Sequence, residues 1–200
     1  MARSTSKVAK KNREESGGAE RRQQILQESA RLFVSQGFDG TTMRDIANAT
    51  GILAGSLYYH FPSKEVLFLT VHSEGMRHLT EALDAALEGV EDPWDRLEAA
   101  CISHCQALAE SNDLMVLVVP QIPEGLKNYA RDLTAQRDKY EDRFRQLIAD
   151  IDLPEDVSKT LFRLMLIGML NWTQHWYRDS GPLSLKEIAQ QFIAILRAPL

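Results

Sequence analysis

Apolar residues return at helical spacing between Glu20 and Gln36, with Ile25, Leu26, Ala30, Leu32 and Phe33 on one stripe. The pattern predicts an amphipathic helix. Gly37 follows as its C-cap, and Phe38 is placed to fold back onto the helix end. A short helix is expected next, opened by Thr41 or Thr42, turned inward by Ile46 and Ala47, and ended by Gly51. Another covers roughly residues 54–60 and stops at Pro62, because proline disfavours helical backbone in the residue before it. Ser63 then caps a long helix over 64–87, whose inward stripe reads Leu69, His72, Met76, Leu79 and Leu83.

Asp92-Pro93 has the form of an N-cap and first helical position, with Trp94, Leu97, Cys101, Cys105 and Leu108 on one face of the helix that follows. Residues 113–122 are apolar and bounded by Pro120 and Pro123, which predicts a short buried helix or turn. A long amphipathic helix is expected over 124–150, carrying Leu126, Tyr129, Leu133, Tyr140, Phe144 and Leu147. Pro154 is expected to open a helix reaching about Arg178, and Ser184 to cap the last one, with Ile188, Phe192 and Ile195 inward. Period-two alternation is nowhere sustained. The expected fold is all-α, with about nine helices.

Charge divides the chain. Residues 1–66 hold 10 Lys/Arg and 7 Asp/Glu, a net of +3, and residues 67–200 hold 13 and 21, a net of −8. A basic module facing a polyanion and an acidic remainder with another task fit that split. The polar, basic run 1–18 ends in Gly-Gly and is expected to be a disordered arm, either a solvated tail or one that follows phosphates. The expected domains are this arm, a small basic domain over 19–66 and a larger domain over 67–200. Two cysteines make no disulfide framework, and no apolar run approaches the roughly 18 residues that cross a bilayer. With no apolar leader segment at the N-terminus, a cytoplasmic protein is expected.

Two short helices joined by a glycine turn make a helix-turn-helix, which places its second helix in the DNA major groove. Ala47 is small where the helices cross, and Gly51 suits a left-handed turn position. Ile52 can plug the angle between them. Gly55 and Ser56 leave room for base edges, while Tyr58, Tyr59 and His60 have polar tips within reach of phosphates and Lys64 adds a cation. The stretch TTMRDIANATGILAGSLYYHFPSKEVL resembles the signature of the TetR family of bacterial regulators. Thr41, Thr42, Ile46, Ala47, Gly51, Gly55, Tyr58, His60, Phe61, Lys64, Glu65 and Leu67 match it with the spacing intact. Thr50-Gly51-Ile52-Leu53 departs from the family's Ala-Gly-Val-Ser, and Leu53 replaces the serine that would cap the recognition helix. The resemblance implies DNA-facing roles for Thr42, Arg44, Ala54, Gly55, Ser56, Tyr58, Tyr59, His60 and Lys64. Tyr58 has packing against the first helix as an alternative, and Arg44 an ordinary solvated charge. The recognition helix carries no long bidentate donor, so direct base readout is expected to be sparse.

For residues 67–200 the resemblance implies a helical domain that binds a small-molecule effector and forms a homodimer. LFRLMLIGMLNWTQHW is apolar nearly all round, as a helix buried on two sides should be. Met76, Cys101, Cys105, Met115, Tyr129, Leu133, Tyr140, Phe144, Met165, Met169 and Trp172 are the candidate effector-lining residues, each with plain core packing as the alternative. Asn171-Trp172-Thr173, Trp176-Tyr177-Arg178 and Gly181–Ser184 are similar to the C-terminal stretch of TetR-type regulators of fatty-acid, steroid and acyl-CoA catabolism. That similarity implies a greasy acid or its CoA thioester as effector, with Arg163 or Arg178 near its phosphates. Trp172 and Trp176 have dimer-interface anchoring as the favoured alternative.

The mode implied is repression, released when the effector binds. Cys101, His104 and Cys105 share one helical turn, but no second Cys/His pair completes a metal site. Neither a nucleophile elbow, a phosphate-binding glycine loop nor H-E-x-x-H occurs, so an enzyme is not expected and no cofactor is called for. Asp138, Lys139, Glu141, Asp142 and Arg143 read as a solvated charged face.

Overall fold

The computed structural model describes residues 2–110 and 122–198, and among them it contains eight α-helices, one 3-10 helix and no strand. Met115 and, save for Ile122, the apolar segment 113–122 lie outside the described residues. The helices are α1 (Ala2–Gly40), α2 (Met43–Thr50), α3 (Ala54–His60), α4 (Lys64–Leu87), α5 (Pro93–Glu110), α6 (Ala130–Ala149), α7 (Lys159–Trp176) and α8 (Leu185–Arg197). Glu124–Tyr129 forms the 3-10 helix.

Two compact units result. One holds the chain up to Val71 together with Pro123–Lys127, the other His72–Ile122 and Asn128 onward. The first unit takes a short piece from far along the chain.

In the first unit Ile25, Leu26, Ala30, Leu32 and Phe33 are buried along α1, as their spacing requires. The helix bends at Gly37, whose φ of 74° is a left-handed value. Phe38 turns back so that its ring meets Phe33 and Phe68 at centroid distances of 5.8 and 5.3 Å. Residues 2–18 are helical and continuous with the rest of α1. That run holds no proline and is rich in Ala, Lys, Arg and Glu, so Gly17 and Gly18 cost only about 1 kcal/mol each.

The second unit is a helical core of α4, α5, α6, α7 and α8 side chains. Leu79, Leu83, Leu97, Phe144, Leu166 and Leu170 are among its most buried members. Asp92 caps α5, accepting from the Trp94 and Asp95 amides at 2.9 and 3.0 Å. Ser184 and Glu187 form a reciprocal capping box on α8. Three expectations are corrected. The helix expected over 124–150 breaks at Tyr129, where backbone at φ −106°, ψ 7° separates the 3-10 helix from α6. Pro154 opens only a turn, its carbonyl accepting from Val157, and α7 starts at Lys159, where the Ser158 hydroxyl supplies the cap. Ile195 points outward, 69% exposed, because Ile188, Ala189 and Ile193 take the buried face of α8.

Candidate nucleic-acid interface and effector core

The residues around α2 and α3 sort into a scaffold and a surface. Ile46, Ala47 and Leu57 are buried, with Ile46 and Leu57 at 0% exposure. Gly51, at φ 66°, makes the left-handed turn between the helices, and the Ile52 amide donates to the Ala47 carbonyl at 3.0 Å. A side chain at position 51 would strain that backbone whatever space it found.

Thr42, not Thr41, caps α2. Its hydroxyl accepts from the Asp45 amide at 3.2 Å while the Asp45 carboxylate accepts from the Thr42 amide at 2.9 Å. The Thr42 hydroxyl and amide hold the Asp45 carboxyl below its ordinary range. Thr41 is buried, and its hydroxyl bonds the Gly37 carbonyl at 2.8 Å. At α3, by contrast, Leu53 stands at the cap position and makes no side-chain hydrogen bond.

Of the candidate DNA-facing residues, Thr42, Arg44, Ala54, Gly55, Ser56, Tyr58 and Tyr59 are exposed and His60 is partly so. Tyr59 presents most, at 87%. Tyr58 is half exposed, so its ring is not committed to the core. Lys64 differs. Its ammonium donates to the carbonyls of Phe38 and Thr41 at 2.7 and 2.8 Å and lies over the Phe38 ring, 4.2 Å from the centroid. With two acceptors and an aromatic face engaged, it braces the unit instead of offering a free cation.

The candidate effector residues also separate. Met76, Cys101, Cys105, Tyr140 and Phe144 are brought together in one buried cluster, with Met169 packed against it. Leu133 is buried on α6 and Tyr129 half-buried before it. Met165 and Trp172 do not join them. They lie exposed with Leu161 and Trp176, because 161, 165, 172 and 176 share the face of α7 opposite Phe162, Leu166 and Leu170.

Inside this core lies a polar group that the sequence pattern marked only as a histidine on the turn of Cys101 and Cys105. His104, 4% exposed, meets the Tyr140 hydroxyl through Nδ1 at 2.9 Å and the Asn171 carboxamide oxygen through Nε2 at 3.1 Å. A carboxamide oxygen only accepts, so Nε2 carries the proton and Nδ1 accepts from Tyr140. Burial pulls His104 down to about 4 and pushes the Cys105 thiol up to about 11. Cys101 and Tyr140 are raised as well, again by burial first. The imidazole is therefore neutral and the thiols are not thiolates. The signal for His104 was present, since it lies three residues after Cys101 on the same inward stripe.

Two expected free charges are instead paired. Arg163 is buried and bonds Glu141, tying α7 to α6, and Arg143 bonds Asp84, tying α6 to α4. The charged run at 138–143 is thus only partly a solvated face. Arg178 remains exposed, at the rim of a recess of about 340 Å³ lined by Trp176, Tyr177, Pro182, Phe192 and Ile195.

Comparison with known proteins places these two regions. Residues 25–71 match the family model for bacterial regulatory proteins of the tetR family, and residues 90–200 the tetracyclin repressor-like C-terminal domain. The chain is 31% identical to the HTH-type transcriptional repressor KstR2 of Mycolicibacterium smegmatis, over 89% of each chain. It resembles the solved structure of KstR2 of Mycobacterium tuberculosis, described as a ketosteroid transcriptional regulator, with a TM-score of 0.70 and 27% identity over 88% of this chain and 92% of that one. The fold is also that of AibR, solved with isovaleryl coenzyme A and operator DNA, with a TM-score of 0.77 and 24% identity over 90% of this chain and all of the other.

Proposed function

The chain belongs to the TetR family, whose members are transcriptional regulators and not enzymes, and from that membership we propose a homodimeric repressor that a small hydrophobic effector releases from a palindromic operator. The observation carrying the reading is the exposed strip of Thr42, Arg44, Ala54, Gly55, Ser56, Tyr58 and Tyr59, on a scaffold whose Ile46 and Leu57 are fully buried. Helix α3 enters the major groove, the hydroxyls and Arg44 meet phosphates and base edges, and the net charge of +3 over residues 1–66 adds attraction. Lys64 contributes by holding the unit in shape.

The exposed apolar face of α7, with Leu161, Leu164, Met165 and Trp172, supports dimerisation. Such a stripe is costly in water and is covered by a second copy, which also sets two recognition helices about 34 Å apart. The core around Cys101, Tyr140 and Phe144 takes the effector. Its apolar side chains around one polar cluster, and the ketosteroid description of a relative, favour a steroid, fatty acid or acyl-CoA. Helix α4 begins in the first unit and continues in the second, so it is the coupling element. By linkage, an effector that prefers the conformation unfit for the operator lowers DNA affinity by the same factor that DNA lowers effector affinity.

A gel shift with the full-length protein tests the reading. Salt-sensitive retardation of one palindromic duplex, relieved by a member of a steroid, fatty-acid and acyl-CoA panel, is the expected result. No retardation at any salt would rule out the repressor, and retardation that no panel member relieves would rule out this effector class.

A further inference from the structure

We propose that Leu53 reads the C5-methyl group of a thymine in each operator half-site. The proposal rests on the DNA-docking assignment just given and adds a base to it. Leu53 is 80% exposed, extended at φ −69°, ψ 142°, and makes no capping hydrogen bond. A large aliphatic side chain thus stands in water where the family pattern has serine, while the equivalent position on α2, Thr42, is fully used as a cap. Its neighbours do not hide it. Ala54 and Gly55 are small and exposed, and a Cβ built on Gly55 would meet nothing within 4 Å. Leu53 therefore stands open to solvent next to Ala54, Gly55 and Ser56.

What can cover it follows from the chemistry of the groove. The major groove offers hydrogen-bond donors and acceptors from every base pair, and phosphates line its walls. Leucine can use none of them. The thymine methyl is the one apolar group on that surface, and burying it against Leu53 removes apolar area from water on both sides. Ala54 carries only a single methyl close to the backbone and the other exposed side chains of the strip are polar or absent, so Leu53 supplies selectivity for an A·T pair that Ser56 and Tyr59 hydroxyls, able to donate and accept, do not.

The test uses the full-length protein and a duplex selected by it from a random library, with each thymine of one half-site replaced singly by deoxyuridine. At one thymine, loss of the methyl should weaken wild-type binding about fourfold at fixed salt, the worth of one buried methyl-sized group. Leu53→Ala and Leu53→Ser should bind the thymine and uracil duplexes equally, whereas Leu53→Met, which keeps apolar reach, should retain the discrimination. Unchanged circular-dichroism spectra exclude misfolding of the variants. If wild type and Leu53→Ala respond alike at every thymine, or no methyl matters, the thymine contact is wrong while DNA docking stands. If wild type selects no duplex at all, both the docking assignment and this contact fall.

Discussion

The Lys64 ammonium sits 2.8 Å from the carbonyl oxygen of Thr41, spanning 23 residues to join the start of α4 to the segment that enters the helix-turn-helix. The Phe38 carbonyl lies 2.7 Å away on the same nitrogen. One side chain thus satisfies two backbone acceptors that flank the mouth of α2, and the aromatic face of Phe38 screens the pair from solvent.

Lys64→Met should therefore lower unfolding free energy by about 1–3 kcal/mol, the cost of leaving partly buried carbonyls without a charged donor. Arg44→Ala should remain within about 0.5 kcal/mol of wild type. Urea denaturation of both variants measures the contrast. Equal stabilities would show that Lys64 braces nothing.

Arg44→Ala should act on DNA instead. Removing one phosphate contact should reduce the slope of log affinity against log salt by about 1. Tyr59→Ala should weaken operator binding with an unchanged melting temperature, since its ring is almost wholly exposed. Anisotropy titrations across a salt series read both effects, and wild-type curves from either variant would remove that residue from the interface.

Stability should fall on the acid side because of His104. Its folded value of about 4 lies below the ordinary 6.5, so the unfolded chain binds the proton first as pH drops. The contribution is intact above pH 6.5, is lost between 6.5 and 4, and amounts to about 3 kcal/mol in full. His72, lowered by burial while bonded to Gln136, adds to the loss in the same direction. Denaturation midpoints at pH 7 and pH 4.5 should differ markedly for wild type and less for His104→Gln. A pH dependence that the variant leaves untouched would assign the acid sensitivity elsewhere.

Met165→Glu or Trp172→Glu should yield monomers by light scattering. Each puts a charge on the exposed stripe of α7 without touching the core that Leu166 and Leu170 fill. Dimers in both variants would place the subunit contact on another surface.

Much of this arrangement could be read in advance from periodicity. The stripes of α1 and α5, the caps at Asp92 and Ser184 and the turn at Gly51 follow from local rules, because each involves residues within a turn or two of one another. Polarity that depends on distant partners could not be read this way. Lys64 looks like a phosphate contact until the carbonyls of Phe38 and Thr41 are seen beside it, and Arg163 looks free until Glu141 appears. Met165 and Trp172 stand apart from the buried candidates for a different reason. A helix apolar on every side carries no marker of which face a single protomer buries, and the same held for Ile195 on α8.

Gly125 lies so close to Phe38 that a Cβ on it would come 2.7 Å from the ring edge. Its neighbour Leu126 is fully buried within the first unit. The DNA-reading module is therefore not a contiguous cassette. A gene fusion that grafts residues up to 71 onto another effector domain leaves Phe38 without this cover, and a natural exchange of modules between relatives would have to carry Pro123–Lys127 along or find a glycine already waiting there.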